Sequence, residues 1–185
     1  MEVVKTEELL VVEDKFVIGD GKKNKGFLRV KRLHLRNKGV DFTRDKVESK
    51  DAVAAVVYDT KLWKYIFVKQ YRPGPEKYLI ELVAGLIDHD GLSPVQTMIS
   101  EIKQELGYEV DSIVQICQPF YTTPGKTSEK MHLFLVYVSN QTEKGGGVES
   151  ENEDIEIIKV TPEEVKELDI EDGKTLLGLY KTNVL

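Results

Sequence analysis

The chain has 185 residues, 41% hydrophobic and 31% charged, with a formal net charge of −6. That length suits one domain with a real core, or one core and an arm, and the residue usage is that of an ordinary globular protein. The acidic balance argues against sequence-blind nucleic-acid binding, which needs clustered Lys and Arg, and a phosphate-bearing small substrate would need local arginines or a bound cation.

Alternating patterns dominate the first half. FLRVKRLHL (27–35), AVAAVVYD (52–59) and YIFVKQYR (65–72) read as strands, with Lys61, Leu62 and Trp63 near the turn joining the last two. YLIEL (78–82) follows a Pro-Gly-Pro stretch, and VAGLIDHDGLSP reads as a loop carrying Gly85 and Gly91. The helix after that loop has legible ends. Ser93 serves as N-cap, Pro94 takes the first helical position where a missing N–H costs nothing, Gln96 completes a capping box, and Gly107 closes the helix. Val95, Met98, Ile99, Ile102 and Leu106 recur at three- and four-residue spacing as one apolar stripe.

Glu101 and Glu105 lie off that stripe, four positions apart, where like charges repel by about 0.2–0.5 kcal/mol. Either that face is simply wet or something positive belongs between the two carboxylates. Further on, SIVQICQPFY (112–121), MHLFLVYV (131–138) and DIEIIKV (154–160) read as strands, separated by Pro124-Gly125 and by the glycines 145–147. Thr161-Pro162-Glu163-Glu164 opens a short helix around 162–168, and a last helix spans about 172–182. The order of elements is a mixed sheet with one long central helix and short ones at the end, an α+β arrangement.

Cys117 is the single cysteine, which excludes a disulfide framework and a cysteine-based zinc cluster, and its apolar neighbours Ile113, Val114 and Ile116 make it a packed thiol. No apolar run approaches the ~20 residues that cross a bilayer. MEVVKTEELL also lacks the basic start and apolar core of a signal peptide. The expectation is a cytoplasmic protein with neither nucleic-acid nor membrane partners.

Four features carry chemistry, and each alone has a plain structural explanation. Paired glutamates on a helix usually meet water, Arg72 in KQYRPGP is an ordinary loop arginine, TTPGKTSE (122–129) is a turn, and ESENED (149–154) is a surface loop. Their order and spacing are more specific. A glycine loop, a helix with paired glutamates ending in Gly-Tyr, and a glycine-tethered acidic loop together resemble the Nudix hydrolases. The segments ELVAGLID, KQYR, PGKTSE, GGGVESENEDIE and DGKTLL look like the nucleoside-diphosphate-sugar branch, which includes ADP-ribose, GDP-mannose and UDP-glucose pyrophosphatases. The likeness runs from about residue 44 to the end.

The resemblance implies a Nudix-type α/β/α sandwich with a mixed sheet over residues 46–185. It also implies an N-terminal β arm over 1–45, of the kind relatives exchange to form a homodimer. The implied reaction is metal-dependent hydrolysis of the diphosphate of a nucleoside diphosphate sugar, with Mg²⁺ as the ion and Mn²⁺ as an alternative. Metal donors fall on Glu101, Glu105, the main-chain oxygen of Ala84 and the neutral Gln104; substrate contacts fall on Arg72, Arg44 and Glu81. Glu151 or Glu153 would be the general base, with Glu129 positioning or sharing metal, and the glycines 145–147 would act as hinges.

Three positions depart from the family's box: Ser100 stands where it has arginine, Gln104 replaces the first of its paired acids, and Leu92 replaces an earlier loop acid. One extra residue also lies between Gly85 and the helix. The alternative these departures allow is a catalytically weakened Nudix-fold protein that binds a nucleotide sugar or a protein partner.

Overall fold

The computed structural model describes residues 1–11, 29–88, 91–147 and 155–185. It divides into two units, Met1–Asp51 with Tyr121–Lys130, and Ala52–Phe120 with Met131–Leu185.

The first unit is built on an antiparallel sheet in the order β1-β2-β3, with β1 at Glu2–Val11, β2 at Arg29–Asn37 and β3 at Val40–Glu48. Lys38 and Gly39 turn β2 into β3 with φ of 50° and 78°, the left-handed pair that matches strand twist in a two-residue hairpin. The register sets Arg32 opposite Asp45 and Arg36 opposite Asp41, and both arginines bond their partners in a fork, at 2.7 and 2.8 Å and at 2.6 and 2.9 Å. Only Leu35 of β2 is buried, so cross-strand charge pairing rather than a core specifies this hairpin. Segment 121–130 is fastened to the end of β3: Val47 N–H donates to the Lys126 carbonyl at 2.8 Å, and Lys130 N–H to Asp51 at 2.9 Å.

The second unit holds β4 (Ala52–Asp59), β5 (Lys64–Arg72), β6 (Lys77–Glu81), β7 (Val83–Leu86), helix α1 (Pro94–Glu101), β8 (Tyr108–Gln115), β10 (Lys130–Gln141) from its second residue on, β11 (Glu156–Val160) and helix α2 (Gly173–Lys181), and the chain passes from one unit to the other within the short β9 (Phe120–Tyr121). Its sheet runs β11-β5-β4-β10-β8, with β6 paired to β5 and β7 to β4. β10 lies parallel to β4 and the other pairs named are antiparallel, giving the mixed sheet.

β4 sits in the middle and explains its own sequence. Val53, Ala55 and Val57 face Met98, Ile102 and Leu106 of the α1 side, while Ala52, Ala54 and Val56 face Leu82, Leu133 and Leu179. A strand covered on both faces loses the apolar–polar alternation, hence AVAAVVYD. Each fully buried Ile or Leu contributes about 1.5–3 kcal/mol of transfer free energy. α2 approaches so closely that a Cβ on Gly178 would stand 2.8 Å from Leu82 Cδ1.

Several expectations change. VAGL is a strand paired with β4, and Gly85 is tolerated in it for a reason given below. Of the apolar stripe, Met98, Ile102 and Leu106 are fully buried, whereas Val95 and Ile99 are 40% exposed, because the four-residue series alone faces the sheet. The helix keeps its predicted caps, with both capping-box bonds between Ser93 and Gln96 and Gly107 left-handed at φ 72°, but widens into a π-helical turn over Ile102–Leu106. β8 starts at Tyr108 rather than 112 and stops before Cys117, which packs in the second core cluster. The short helix is a 3-10 turn at Glu164–Glu167. Among the described residues no helix is long and apolar enough to cross a membrane.

Candidate active site

Glycine and glutamate meet where β7 runs under α1. A Cβ built on Gly85 would lie 2.2 Å from Cδ and Oε1 of Glu101, so the Glu101 carboxylate occupies the space that any side chain at position 85 would fill. The Ala84–Gly85 peptide and the first box glutamate are therefore neighbours. Glu105, one turn on, is buried at 4% exposure inside the π-helical turn. The helix thus turns one carboxylate toward β7 and sinks the other into the fold.

Next to them lies a buried charge network. Glu81, 1% exposed at the end of β6, accepts from Arg72 Nε at 2.6 Å and Arg72 Nη2 at 2.8 Å, and from Lys174 Nζ. Lys174 also pairs with Asp172 at 3.1 Å. Asp172 caps α2 through Thr175 N–H at 2.9 Å and accepts the Thr175 hydroxyl at 2.6 Å, and that hydroxyl oxygen accepts the buried Leu82 N–H at 2.9 Å. One connected set of bonds therefore joins the start of α2 to Arg72.

Burial works against ionisation of Glu81, but the hydrogen bonds from Arg72 and Lys174, and their charges, hold its carboxyl below the ordinary range. The Arg72 guanidinium is pushed up by its bonds to Glu81, and the charges of Glu81, Glu105 and Asp172 add to this against desolvation. Arg72 thus senses the second box glutamate electrostatically.

The two box departures also meet. Gln104 Nε2 donates to Ser100 Oγ at 3.3 Å, one helical turn apart, so the positions of the missing arginine and the missing acid contact each other.

Gly145 and Gly146 fasten to the same turn. Gly146 N–H donates to the Glu105 carbonyl at 2.8 Å, and a Cβ on Gly145, whose φ is +68°, would lie 2.5 Å from that oxygen. The near end of the glycine run is thus bonded to a candidate site residue. Glu151 and Glu153 lie outside the described residues.

Arg44 and Glu129 belong to the first unit. Arg44 is exposed on β3, donates to the Thr43 carbonyl at 2.9 Å and stacks over Phe42 at 4.9 Å. Glu129 accepts the Thr122 hydroxyl at 2.9 Å and the Ser49 hydroxyl at 3.4 Å. Lys174 and Asp172 escape a reading of the sequence; the signal available is DGKT, a capping aspartate followed by a lysine.

Among the described residues no group of three or more His, Cys, Asp or Glu side chains stands ready to hold an ion unaided. The two carboxylates and the main-chain oxygen beside Gly85 are hard oxygen donors. Such a set fits an ion that keeps several waters and takes the rest of its shell from a substrate's phosphates.

The model of the NUDIX domain matches residues 48–178. The chain belongs to the NUDIX family. This Nudix protein is 32% identical to a GDP-mannose pyrophosphatase of Escherichia coli over 94% of each chain. It is 31% identical to a methanol dehydrogenase activator of Bacillus methanolicus over 82% of each chain. Its fold matches a crystal structure of an ADP compounds hydrolase with a TM-score of 0.75 at 16% identity, covering 98% of this chain and 91% of that one. The α+β sandwich expected from the sequence is the Nudix fold.

Proposed function

We propose that this Nudix protein hydrolyses the diphosphate bond of a nucleoside diphosphate sugar of the GDP-mannose, ADP-ribose or UDP-glucose type, releasing a nucleoside monophosphate and a sugar phosphate. The observation that carries this reading is the placement of Glu101 against Gly85 and of buried Glu105 within the field of Arg72. A GDP-mannose pyrophosphatase related over 94% of the chain supports it.

Mg²⁺, or Mn²⁺ in its place, supplies polarisation of the phosphoryl oxygens, neutralisation of developing charge and a lowered pKa for the attacking water. Glu101, Glu105 and the Ala84 carbonyl are its proposed donors, with the Gln104 amide oxygen as a neutral addition. Arg72 offers its guanidinium fork to a substrate phosphate. Arg44, Glu81 and Glu129 keep the substrate and metal roles assigned by the family likeness, and Glu151 or Glu153 is the proposed general base. A homodimer through the arm of residues 1–45, joined to a Nudix domain of 46–185, and a cytoplasmic location belong to the same reading.

Ser100 and Gln104 favour a working site over a decayed one. A missing arginine and a missing acid that touch each other offset one another in charge, while Leu92 removes a further acid of the family pattern. The second reading is a Nudix protein that acts by binding a nucleotide sugar or a partner. Leu92 and a relative named as an activator support it.

Product analysis on GDP-mannose, ADP-ribose and UDP-glucose separates the two. Monophosphate release that needs metal and is lost in Glu105→Gln supports hydrolysis. Silence on all three substrates, with activity created by Ser100→Arg and Gln104→Glu together, supports the binding protein.

A further inference from the structure

We infer that Glu81 is a positioning residue: it fixes Arg72 as an oriented phosphate fork, and Lys174 keeps the carboxylate from cancelling the arginine's charge. This rests on the proposed hydrolysis and names the device that aims one of its groups.

Three facts carry it. First, Glu81 engages one edge of the guanidinium, Nε and Nη2, which leaves three of the five guanidinium N–H donors directed away from it. Second, exposure falls steeply across the cluster: the Arg72 side chain is 37% exposed, Lys174 12% and Glu81 2%, so Arg72 is the member that an incoming anion can touch.

Third, the charges balance only with Lys174. Arg72, Glu81 and Asp172 alone carry a net negative charge that would repel a diphosphate; the ammonium bonded to both acids removes that excess. The assembly is also held rigidly, since Asp172 caps α2 and Thr175 ties that helix start to the Leu82 N–H next to Glu81. A free arginine side chain would have to lose several rotors on binding phosphate, and here that ordering is done in advance.

The test is a double-mutant cycle on Arg72→Ala and Glu81→Gln, read by calorimetry with inorganic pyrophosphate and Mg²⁺ as the probe, and by steady-state kinetics on GDP-mannose. If Glu81 works through Arg72, each single variant weakens pyrophosphate about tenfold, and the double variant is no weaker than Arg72→Ala alone. The kinetic loss in Glu81→Gln falls on KM more than on kcat, which a merely structural defect would not produce.

Glu81→Gln strands two cations, so the charge-balanced Glu81→Gln/Lys174→Met variant guards against unfolding. It should melt near wild type and still bind pyrophosphate weakly. Wild-type affinity in either folded Glu81 variant, or losses that multiply in the double variant, would overturn the inference while leaving the hydrolysis reading intact. A wild-type protein that neither binds pyrophosphate nor cleaves GDP-mannose, ADP-ribose or UDP-glucose would overturn both.

Discussion

The carboxylate of Glu101 lies where a Cβ of residue 85 would be, 2.2 Å from its ideal position. A strand glycine and a helix glutamate sixteen positions apart in sequence are thereby a single steric unit, and the glycine is required by the side chain above it rather than by its own backbone.

Gly85→Ala is consequently a functional lesion before it is a structural one. The obstructing atoms are the end of a flexible side chain, so Glu101 moves aside and the protein stays folded, with stability within about 1 kcal/mol of wild type. The displaced carboxylate should cost about 10–100-fold in activity, the range seen when the support of a metal ligand is lost. Melting curves alongside rates on GDP-mannose check the separation, and combining Gly85→Ala with Glu101→Gln should add little further loss.

Gly145 and Gly146 should respond differently to alanine. Both have positive φ, 68° and 110°, but a Cβ at 145 meets the Glu105 carbonyl oxygen at 2.5 Å, whereas at 146 the nearest atom is 3.9 Å away. Both variants carry a backbone strain of about 1–3 kcal/mol. Gly145→Ala must in addition push the Glu105 peptide, so it should lose more stability and more metal affinity in denaturant titrations and calorimetry. Equal effects of the two substitutions would refute the anchoring role.

Glu81 makes the fold acid-sensitive in a defined direction. Its carboxyl is held below the ordinary range in the folded chain, so its contribution is complete above the unfolded value of about 4.3–4.5 and disappears as pH falls through the folded value. Wild type should therefore lose melting temperature below about pH 4 more steeply than Glu81→Gln/Lys174→Met. Parallel pH dependences would mean that the network contributes nothing to acid stability.

At the other end of β4, Asp59 is buried and accepts the Tyr108 hydroxyl at 2.7 Å and the Lys61 and Leu62 N–H groups at 2.9 Å each. Burial and the bond to Asp59 both push the Tyr108 phenol up. Tyr108→Phe removes one bond from a buried carboxylate and should cost about 1–3 kcal/mol in urea unfolding. In an alkaline titration followed by phenolate absorbance, this tyrosine should ionise after the ordinary ones.

The parts of the fold that the sequence disclosed are those set by local chemistry. Ser93, Pro94, Gln96 and Gly107 mark the ends of the box helix because caps and the left-handed closing residue act within one turn. AVAAVVYD announced a strand, read as one of an alternating set; its cover on both faces, which removes that alternation, is seen only in the packing. β3 went unread because VDFTRDKVE carries its charges for cross-strand partners, and those partners are visible only in register with β2. VAGL looked like a loop because a glycine interrupts it, and the reason for that glycine lies on the helix overhead.

The site divides the same way. Glu101 and Glu105 stood out by spacing, and the resemblance supplied Ala84, Arg72 and Gln104. Glu105 is buried within the π-helical turn, and no periodicity foretells that turn. Lys174 was invisible because its partner Glu81 is 93 residues away.

Magnesium dependence of single-turnover hydrolysis of GDP-mannose, compared among wild type, Glu101→Gln and Glu105→Gln, tests the central claim most directly. If the two carboxylates hold the ion, each variant should need at least about tenfold more metal to reach half its maximal rate, and that maximal rate should itself fall. Identical metal dependence in all three proteins would contradict the assignment of Glu101 and Glu105 as the metal ligands and would leave the Nudix fold without the chemistry proposed for it.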